Sequence, residues 1–202
     1  MMGEWGVGGQ QMGQDTKRPA TYADLEALPE GTVGQLIDGM LIAAPRPASP
    51  HAVAASAVSG LLWPAFQVGR RSPGGWWLVN EPELHLGDDV LVPDIAGWRR
   101  ERLPQMPRVP HFILAPDWVC DVLSPSTARL DRGRKSELYA RAGVGHLWLV
   151  DPEARALEVF QRDAARWLAR GVYSGEQQVR AEPFDSLLLD LGALWPPELD
   201  AP

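Results

Sequence analysis

The segment WVCDVLSPSTARLDRGRKSELYARAGVGHLWLVD, residues 118–151, contains the succession of strand, turn, helix and strand that decides the fold. Its first strand is apolar on both faces, which predicts a buried strand, and Asp121 interrupts one of those faces. Asp131 is predicted to be the N-cap of the helix, which ends before Gly143. Lys135 lies on the inward stripe of this helix, together with Leu138, Tyr139 and Ala142 at helical spacing. Two charged residues therefore occupy positions where the pattern predicts apolar ones.

A third charged residue lies at an inward position before this segment. In the run VLVPDIAGW, residues 90–98, alternation with period two places Asp94 on the apolar face of the strand. Burying an ionised group without a partner costs several kcal/mol, so such groups in a core are paired, neutralised or bound to a metal. If the strands with Asp94 and Asp121 are neighbours, the helix after SPST can carry Lys135 over both carboxylates.

The residues alone leave two interpretations of this group open. Two close carboxylates repel each other unless a cation lies between them, and ligation by oxygen alone favours Mg²⁺ or Mn²⁺ over zinc. The alternative is a structural ion pair between Asp121 and Lys135, with Asp94 capping a strand end. Of the 19 basic residues only Lys17 and Lys135 are lysines, and a titratable ammonium differs chemically from a guanidinium that stays charged. The use of lysine here weakens the ion-pair interpretation without removing it.

The rest of the chain predicts a mixed α/β fold. Hairpin turns are indicated at three places: Asp38-Gly39, residues 87–89 and residues 152–155. An alanine-rich helix is predicted to have Ser49 as its N-cap and Pro50 as its first residue. A further strand is predicted near residues 167–173. Because strands and helices alternate in this way, the pattern favours an α/β sandwich around a mixed sheet.

Length and composition predict one domain with a tail. Residues 1–18 are rich in Gly and Gln and are predicted to be a flexible N-terminal tail, and residues 19–202 a single domain. The net charge of -7 argues against a protein that coats nucleic acid, since such binding rests on Lys and Arg. A single cysteine, Cys120, excludes an internal disulfide and a zinc site built from several cysteines. With no apolar run of membrane length and no signal peptide, we expect a cytoplasmic protein without a membrane partner.

Three runs in the second half of the chain resemble a known family. They are VPDIAGW at residues 92–98, DVLSPST at residues 121–127 and DRGRKSELYARAGVGHLWLVDPEARALEVF at residues 131–160. They are similar to the bacterial Uma-two family of restriction endonucleases, within the PD-(D/E)XK nuclease superfamily. The resemblance implies a restriction-endonuclease-like α/β fold with a mixed central sheet flanked by helices. It also implies an endonuclease that uses Mg²⁺ or Mn²⁺ to hydrolyse phosphodiester bonds in DNA, with a homodimer as a candidate assembly.

The same resemblance implies a role for each of the three charged residues. Asp94 corresponds to the first acid of the superfamily motif and Asp121 to the second, and both would hold the metal. Lys135 corresponds to the motif lysine, displaced from its strand onto the following helix. The backbone carbonyl of Val122 is a candidate to complete the metal shell. Arg132 and Arg134 are candidate phosphate contacts.

Two departures from the family bear on activity. The family usually has Glu where this chain has Asp121, and it usually has Glu before the LIDG-like turn, where this chain has Gln35. Gln35 is therefore an accessory candidate, since an amide still offers a neutral oxygen ligand. His51 matches a histidine that is frequent in the family, and it is the second accessory candidate. An endonuclease thus competes with a weakened nuclease scaffold that binds nucleic acid or a protein without cleavage, and with an interaction protein that has a structural ion network.

Overall fold

The computed structural model describes residues 18–44, 48–69 and 74–195. In chain order its elements are α1 (Tyr22–Glu26), β1 (Val33–Ile37), β2 (Met40–Ala44), α2 (Ser49–Leu62), β3 (Trp76–Asn80), β4 (Glu83–Leu86), β5 (Asp89–Leu91), β6 (Ile95–Arg99), β7 (His111–Phe112), β8 (Trp118–Val122), α3 (Ala128–Leu130), α4 (Ser136–Ala142), β9 (His146–Asp151), β10 (Ala156–Asp163), β11 (Arg166–Ser174), β12 (Gln178–Val179) and β13 (Leu189–Asp190). A π-helical segment, Trp63–Gln67, continues α2, and another, Asp131–Lys135, joins α3 to α4.

The larger sheet has six strands in the order β11-β10-β9-β8-β6-β3. Strands β8 and β9 are parallel, and the other neighbours in this sheet are antiparallel. A parallel pair requires a crossover connection, and the helical residues 128–142 provide it. The mixed α/β class that the sequence predicts is therefore confirmed.

Each face of the larger sheet packs on a separate apolar cluster. On one face Trp118 and Trp148 meet edge to face at 5.2 Å and pack with α2 residues such as Val58. On the other face Val119 and Leu123 pack in a cluster that includes Leu138 and Tyr139 of α4. Alternation along β8 places Asp121 on this second face, between Val119 and Leu123. The carboxylate thus lies inside the sheet-to-helix core.

A smaller sheet has five strands in the order β2-β1-β5-β4-β7, and the chain passes between the two sheets several times. The chain passes from β3 into β4 at Glu81, whose φ is +46°. It returns from β5 into β6 through Val92, Pro93 and Asp94, which lie between the strands. Asp94 therefore occupies the place where the two sheets meet.

The predicted turns are confirmed at the three hairpins. At the first of them Asp38 and Gly39 have φ of +52° and +71°, the positive values that a type I′ turn requires. The strand predicted near residues 167–173 is β11. The N-terminal tail predicted at residues 1–18 lies outside the described residues except for Arg18.

Two predicted helix starts were wrong. The helix predicted to begin after an Asp131 cap begins at Ala128, with Thr127 at the N-cap position. Asp131 lies within the helical crossover, and its side chain points inward to an ammonium instead of capping a helix end. In α2, Ser49 is the first helical residue and Ala48 the N-cap, so the predicted start is shifted by one residue. Among the helices that the structure describes, none has both the length and the apolar character of a membrane crossing.

Candidate active site

The two acids that the sequence singled out lie at the same end of two paired strands. Strands β6 and β8 are antiparallel, and the last pair at this end joins Ile95 to Cys120, so Asp94 immediately precedes that pair and Asp121 immediately follows it. Asp94 Oδ2 also accepts a hydrogen bond from the backbone N–H of Val122 at 2.7 Å. The end of this strand pair therefore presents two carboxylates on one side.

Asp121 is the more deeply buried of the two acids, with 1% of its surface exposed. Its Oδ1 accepts a hydrogen bond from Lys135 Nζ at 2.9 Å, whereas its Oδ2 is buried without a hydrogen-bond partner among the described residues. Burial raises the pKa of Asp121; the Lys135 charge opposes this rise, and the charges of Asp131 and Asp94 add to it. The positive charge of Lys135 therefore does not fully offset the cost of burying the Asp121 carboxylate.

Lys135 is buried at the centre of the acidic group. Its Nζ donates to Asp121 and to the Val92 carbonyl at 3.1 Å, and it lies 3.5 Å from Asp131 Oδ1. Burial lowers the pKa of Lys135, but the charges of Asp121, Asp131 and Asp94 outweigh it and raise the pKa above its ordinary value. The side chain is therefore an ammonium at neutral pH.

Asp131 is a site residue that the sequence analysis missed. It is 4% exposed and shares the ammonium of Lys135 with Asp121. The sequence did carry a signal, because Asp131 stands four residues before Lys135 on the same helical stripe. Because Asp131 was predicted to be an N-cap, its pairing with Lys135 four residues later was not predicted.

The two accessory candidates approach the acids from other elements. His51, on α2, has its Nε2 3.2 Å from Asp94 Oδ1, and its Nδ1 is buried without a partner among the described residues. Burial lowers the pKa of His51, but the hydrogen bond and charge of Asp94 overcome this and raise it. Gln35, on β1, accepts a hydrogen bond from the Val92 N–H at 3.0 Å through Oε1. The structure thus brings both residues to the site.

A cavity of about 350 Å³ opens over these residues. Its charged and polar lining comprises Gln35, His51, Glu81, Asp94, Ser124, Ser126, Thr127, Asp131 and Lys135. Val122 also lines it, whereas Asp121 is buried and is not among the lining residues. Carboxylates, an ammonium and an imidazole therefore meet at one wall of a chamber that a small ligand can enter.

The two arginines predicted to contact phosphate lie apart from this chamber. Arg132 pairs with Glu158 and, at 3.4 Å, with Asp151. Arg134 pairs with Asp38 and, at 3.0 Å, with Glu137. Neither arginine lines the cavity. A phosphate contact by either residue would have to replace an existing ion pair.

Comparison with known proteins gives a family and a fold. The model of the family described as "Uma2: Putative restriction endonuclease" matches residues 19–192. A crystal structure from Anabaena variabilis ATCC 29413, described as a "putative nuclease belonging to DUF820", superposes with a TM-score of 0.70 at 24% sequence identity. The match covers 87% of this chain and 97% of that chain, so the two share a fold. No curated protein matches the chain.

Proposed function

Because the chain belongs to the family described as "Uma2: Putative restriction endonuclease", we propose that it is a Mg²⁺-dependent endonuclease that hydrolyses phosphodiester bonds in DNA. Family membership supports nuclease function in general and implies a nucleic-acid substrate. The observation that carries the finer proposal is the placement of Asp94 and Asp121 at one end of two paired strands beside a buried lysine. Carboxylates can hold a hard metal ion that activates water, and an ammonium can offset charge that develops at a phosphoryl group.

The donor atoms at the site fit a hard divalent cation. Asp121 Oδ2 and the Tyr139 hydroxyl are both buried without a hydrogen-bond partner that meets normal geometry among the described residues, and the charge of Asp94 is close enough to raise the pKa of Asp121. Mg²⁺ and Mn²⁺ prefer such oxygen ligands. Asp94 and Asp121 would hold the ion, with the Val122 carbonyl and Gln35 Oε1 as further ligands. Asp131, which lines the cavity, adds a third carboxylate to this set.

The bound ion would supply an activated water and offset charge at the phosphoryl group. Lys135 contributes a fixed ammonium rather than a base, because the surrounding acids keep it protonated. Its longest contact, 3.5 Å to Asp131, is the one that a water or phosphoryl oxygen would replace. His51 holds Asp94 from the side of α2 and so fixes the direction of that carboxylate.

The decisive experiment is plasmid cleavage by the purified chain with Mg²⁺ and then with EDTA. We expect cleavage that EDTA abolishes and that Lys135→Ala reduces at least a hundredfold, the scale expected when a preorganised charge is removed. Lys17→Ala is the matched control, because Lys17 is the only other lysine in the chain. Cleavage that resists EDTA or survives Lys135→Ala would overturn the assignment.

A second candidate function is a scaffold that binds nucleic acid or a protein without cleaving. Gln35 favours it, because a neutral amide stands where the family usually has an acid and its oxygen already accepts the Val92 N–H. Mn²⁺ binding without DNA cleavage would support this candidate over the enzyme. A homodimer, which would serve cleavage of both strands, is tested by sedimentation with and without DNA.

A further inference from the structure

We propose that Glu83, His85 and His111 form a second metal site, selective for a divalent first-row transition-metal ion. Glu83 and His85 lie two residues apart on β4, and therefore on one face of the strand. His111 pairs with Glu83 across the parallel strands β4 and β7. One ligand atom of each residue lies within 4.8 Å of the other two. None of the three lines the acidic cavity, so this site is separate from the proposed nuclease centre.

Neighbouring contacts hold the three side chains together. Glu83 Oε1 accepts a hydrogen bond from Tyr22 Oη at 2.8 Å and lies 2.7 Å from His85 Nε2. The rings of His85 and His111 stack with centroids 4.1 Å apart. Tyr22 also contacts His85 edge to face at 4.9 Å. These contacts hold the three side chains close to one another, and rotation of the stacked imidazoles would direct their nitrogen atoms toward one ion.

The donor set determines which metal this site takes. Two imidazoles and one carboxylate suit Zn²⁺, Co²⁺, Fe²⁺ and related ions, whereas Mg²⁺ prefers oxygen alone. The Glu83 and His85 side chains are 24% and 23% exposed, so an ion can reach them from solvent. Binding would displace any proton between His85 Nε2 and Glu83, as metal ligands must be deprotonated. Three protein ligands leave a position for water.

Metal binding at this site would join two strands that otherwise share a short contact. Strand β7 has only two residues and follows the proline-containing connection from β6. A bridge from His111 to β4 would fix this connection against the smaller sheet. Since a ligand that binds only the folded state stabilises it by mass action, Zn²⁺ should raise the thermal midpoint of the full chain.

The test is calorimetric titration of the EDTA-treated full chain with Zn²⁺ in millimolar Mg²⁺, which occupies oxygen-only sites. We expect one Zn²⁺ per chain, affinity reduced at least tenfold in His111→Ala and in Glu83→Gln, and no change in His146→Gln, a histidine of the larger sheet. Co²⁺ should give a visible d–d spectrum that His111→Ala loses. The Asp94→Ala variant should bind Zn²⁺ as the parent chain does.

Three results would overturn the proposal. They are the absence of Zn²⁺ binding by the parent chain, equal binding by His111→Ala, and loss of binding in Asp94→Ala. The last would place the ion in the acidic cavity instead. Circular dichroism of each variant shows whether weaker Zn²⁺ binding comes from the missing side chain or from unfolding. His85→Gln provides a second substitution at the same site.

Discussion

At the residue scale, Asp121 and Asp131 contact one buried ammonium, and Asp94 lies near it. The charges of all three acids raise the pKa of Lys135 against the effect of burial, and among the described residues no second lysine or arginine lines the cavity. A plain structural ion pair needs one acid for one base, and breaking such a pair by removing one partner is costly. Asp94 also lies 3.2 Å from His51, whose pKa its hydrogen bond and charge raise, so Asp121 and Asp131 are the two acids that share the charge of Lys135. This excess of acid over base supports the proposed metal interpretation of the residue group.

Asp131→Asn tests whether the third carboxylate contributes to the site. The amide keeps the size of the side chain but removes its charge, so we expect cleavage to fall about tenfold or more and Mn²⁺ to bind more weakly. Glu137→Gln is the control, because it lies on the same helix, is exposed and does not line the cavity. Plasmid cleavage rates and Mn²⁺ titration measure both effects. Equal rates in the two variants would remove Asp131 from the site.

Gln35→Glu tests the departure from the family pattern. A carboxylate at this position can still accept the Val92 N–H and adds a charged ligand, so we expect half-maximal cleavage at a lower Mg²⁺ concentration, about three- to tenfold. Gln67→Glu is a matched control, since Gln67 Oε1 also accepts a backbone N–H, that of Leu78, at 2.6 Å. An unchanged Mg²⁺ dependence in Gln35→Glu would show that this position does not contact the ion.

The residue patterns predicted part of this site and missed part of it. The alternation of residues along β8 was sufficient to predict that Asp121 points inward, and the helical spacing after it was sufficient for Lys135. Both side chains are buried by regular strands and helices, so these local patterns apply to them. Asp131 was missed because an aspartate before a helix is usually an N-cap. Whether its side chain turns outward to cap or inward to an ammonium depends on Lys135 being buried, which is a tertiary property.

At the scale of elements, the sequence predicted hairpins better than sheets. The turn residues at Asp38-Gly39 are local signals, and the hairpin that they predict was confirmed. No comparable signal showed that β3 and β4, or β5 and β6, belong to different sheets. The alternation of apolar and polar residues continues on both sides of each bend. Only Pro82 and Pro93 mark the places where the chain changes sheets. Because β5 and β6 belong to different sheets, Asp94 lies where the two sheets meet.

The crossover helix ends in a turn that a single glycine supports. Gly143 has φ of +93°, a conformation that costs an L-residue about 1–2 kcal/mol, and a Cβ there would meet no atom within 4 Å. Gly143→Ala should therefore lower the free energy of unfolding by about 1–2 kcal/mol through the backbone alone. Urea denaturation of the full chain measures this value.

Gly60→Ala is a control for which a change in stability of the opposite sign is expected. It lies exposed within α2 and a Cβ there also meets no atom within 4 Å. Alanine is favoured over glycine inside a helix by about 1 kcal/mol, so Gly60→Ala should raise the free energy of unfolding. Equal changes in the two variants would contradict the left-handed C-cap of the crossover helix.

At the scale of the whole molecule, charge opposes the proposed substrate. The chain carries a net charge of -7, and the cavity wall adds Glu81, Asp94 and Asp131 to face a phosphate. Arg132 and Arg134, which do not line the cavity, are each paired with acids of the chain itself. These two arginines therefore offer a phosphate less of the Lys and Arg attraction that usually dominates affinity for DNA.

A divalent cation should consequently control binding of DNA as well as its cleavage. We expect the Lys135→Ala variant, used to prevent cleavage, to bind a fluorescent duplex at least tenfold more tightly with Ca²⁺ than with EDTA, because the ion offsets the charge of the acidic wall. Asp94→Asn in the same background should remove most of this difference, whereas Glu137→Gln should leave it intact. Fluorescence anisotropy at fixed ionic strength separates the effect from general screening. Equal affinity with Ca²⁺ and with EDTA would mean that DNA approaches another face of the molecule, and the acidic wall would then have no part in holding the substrate.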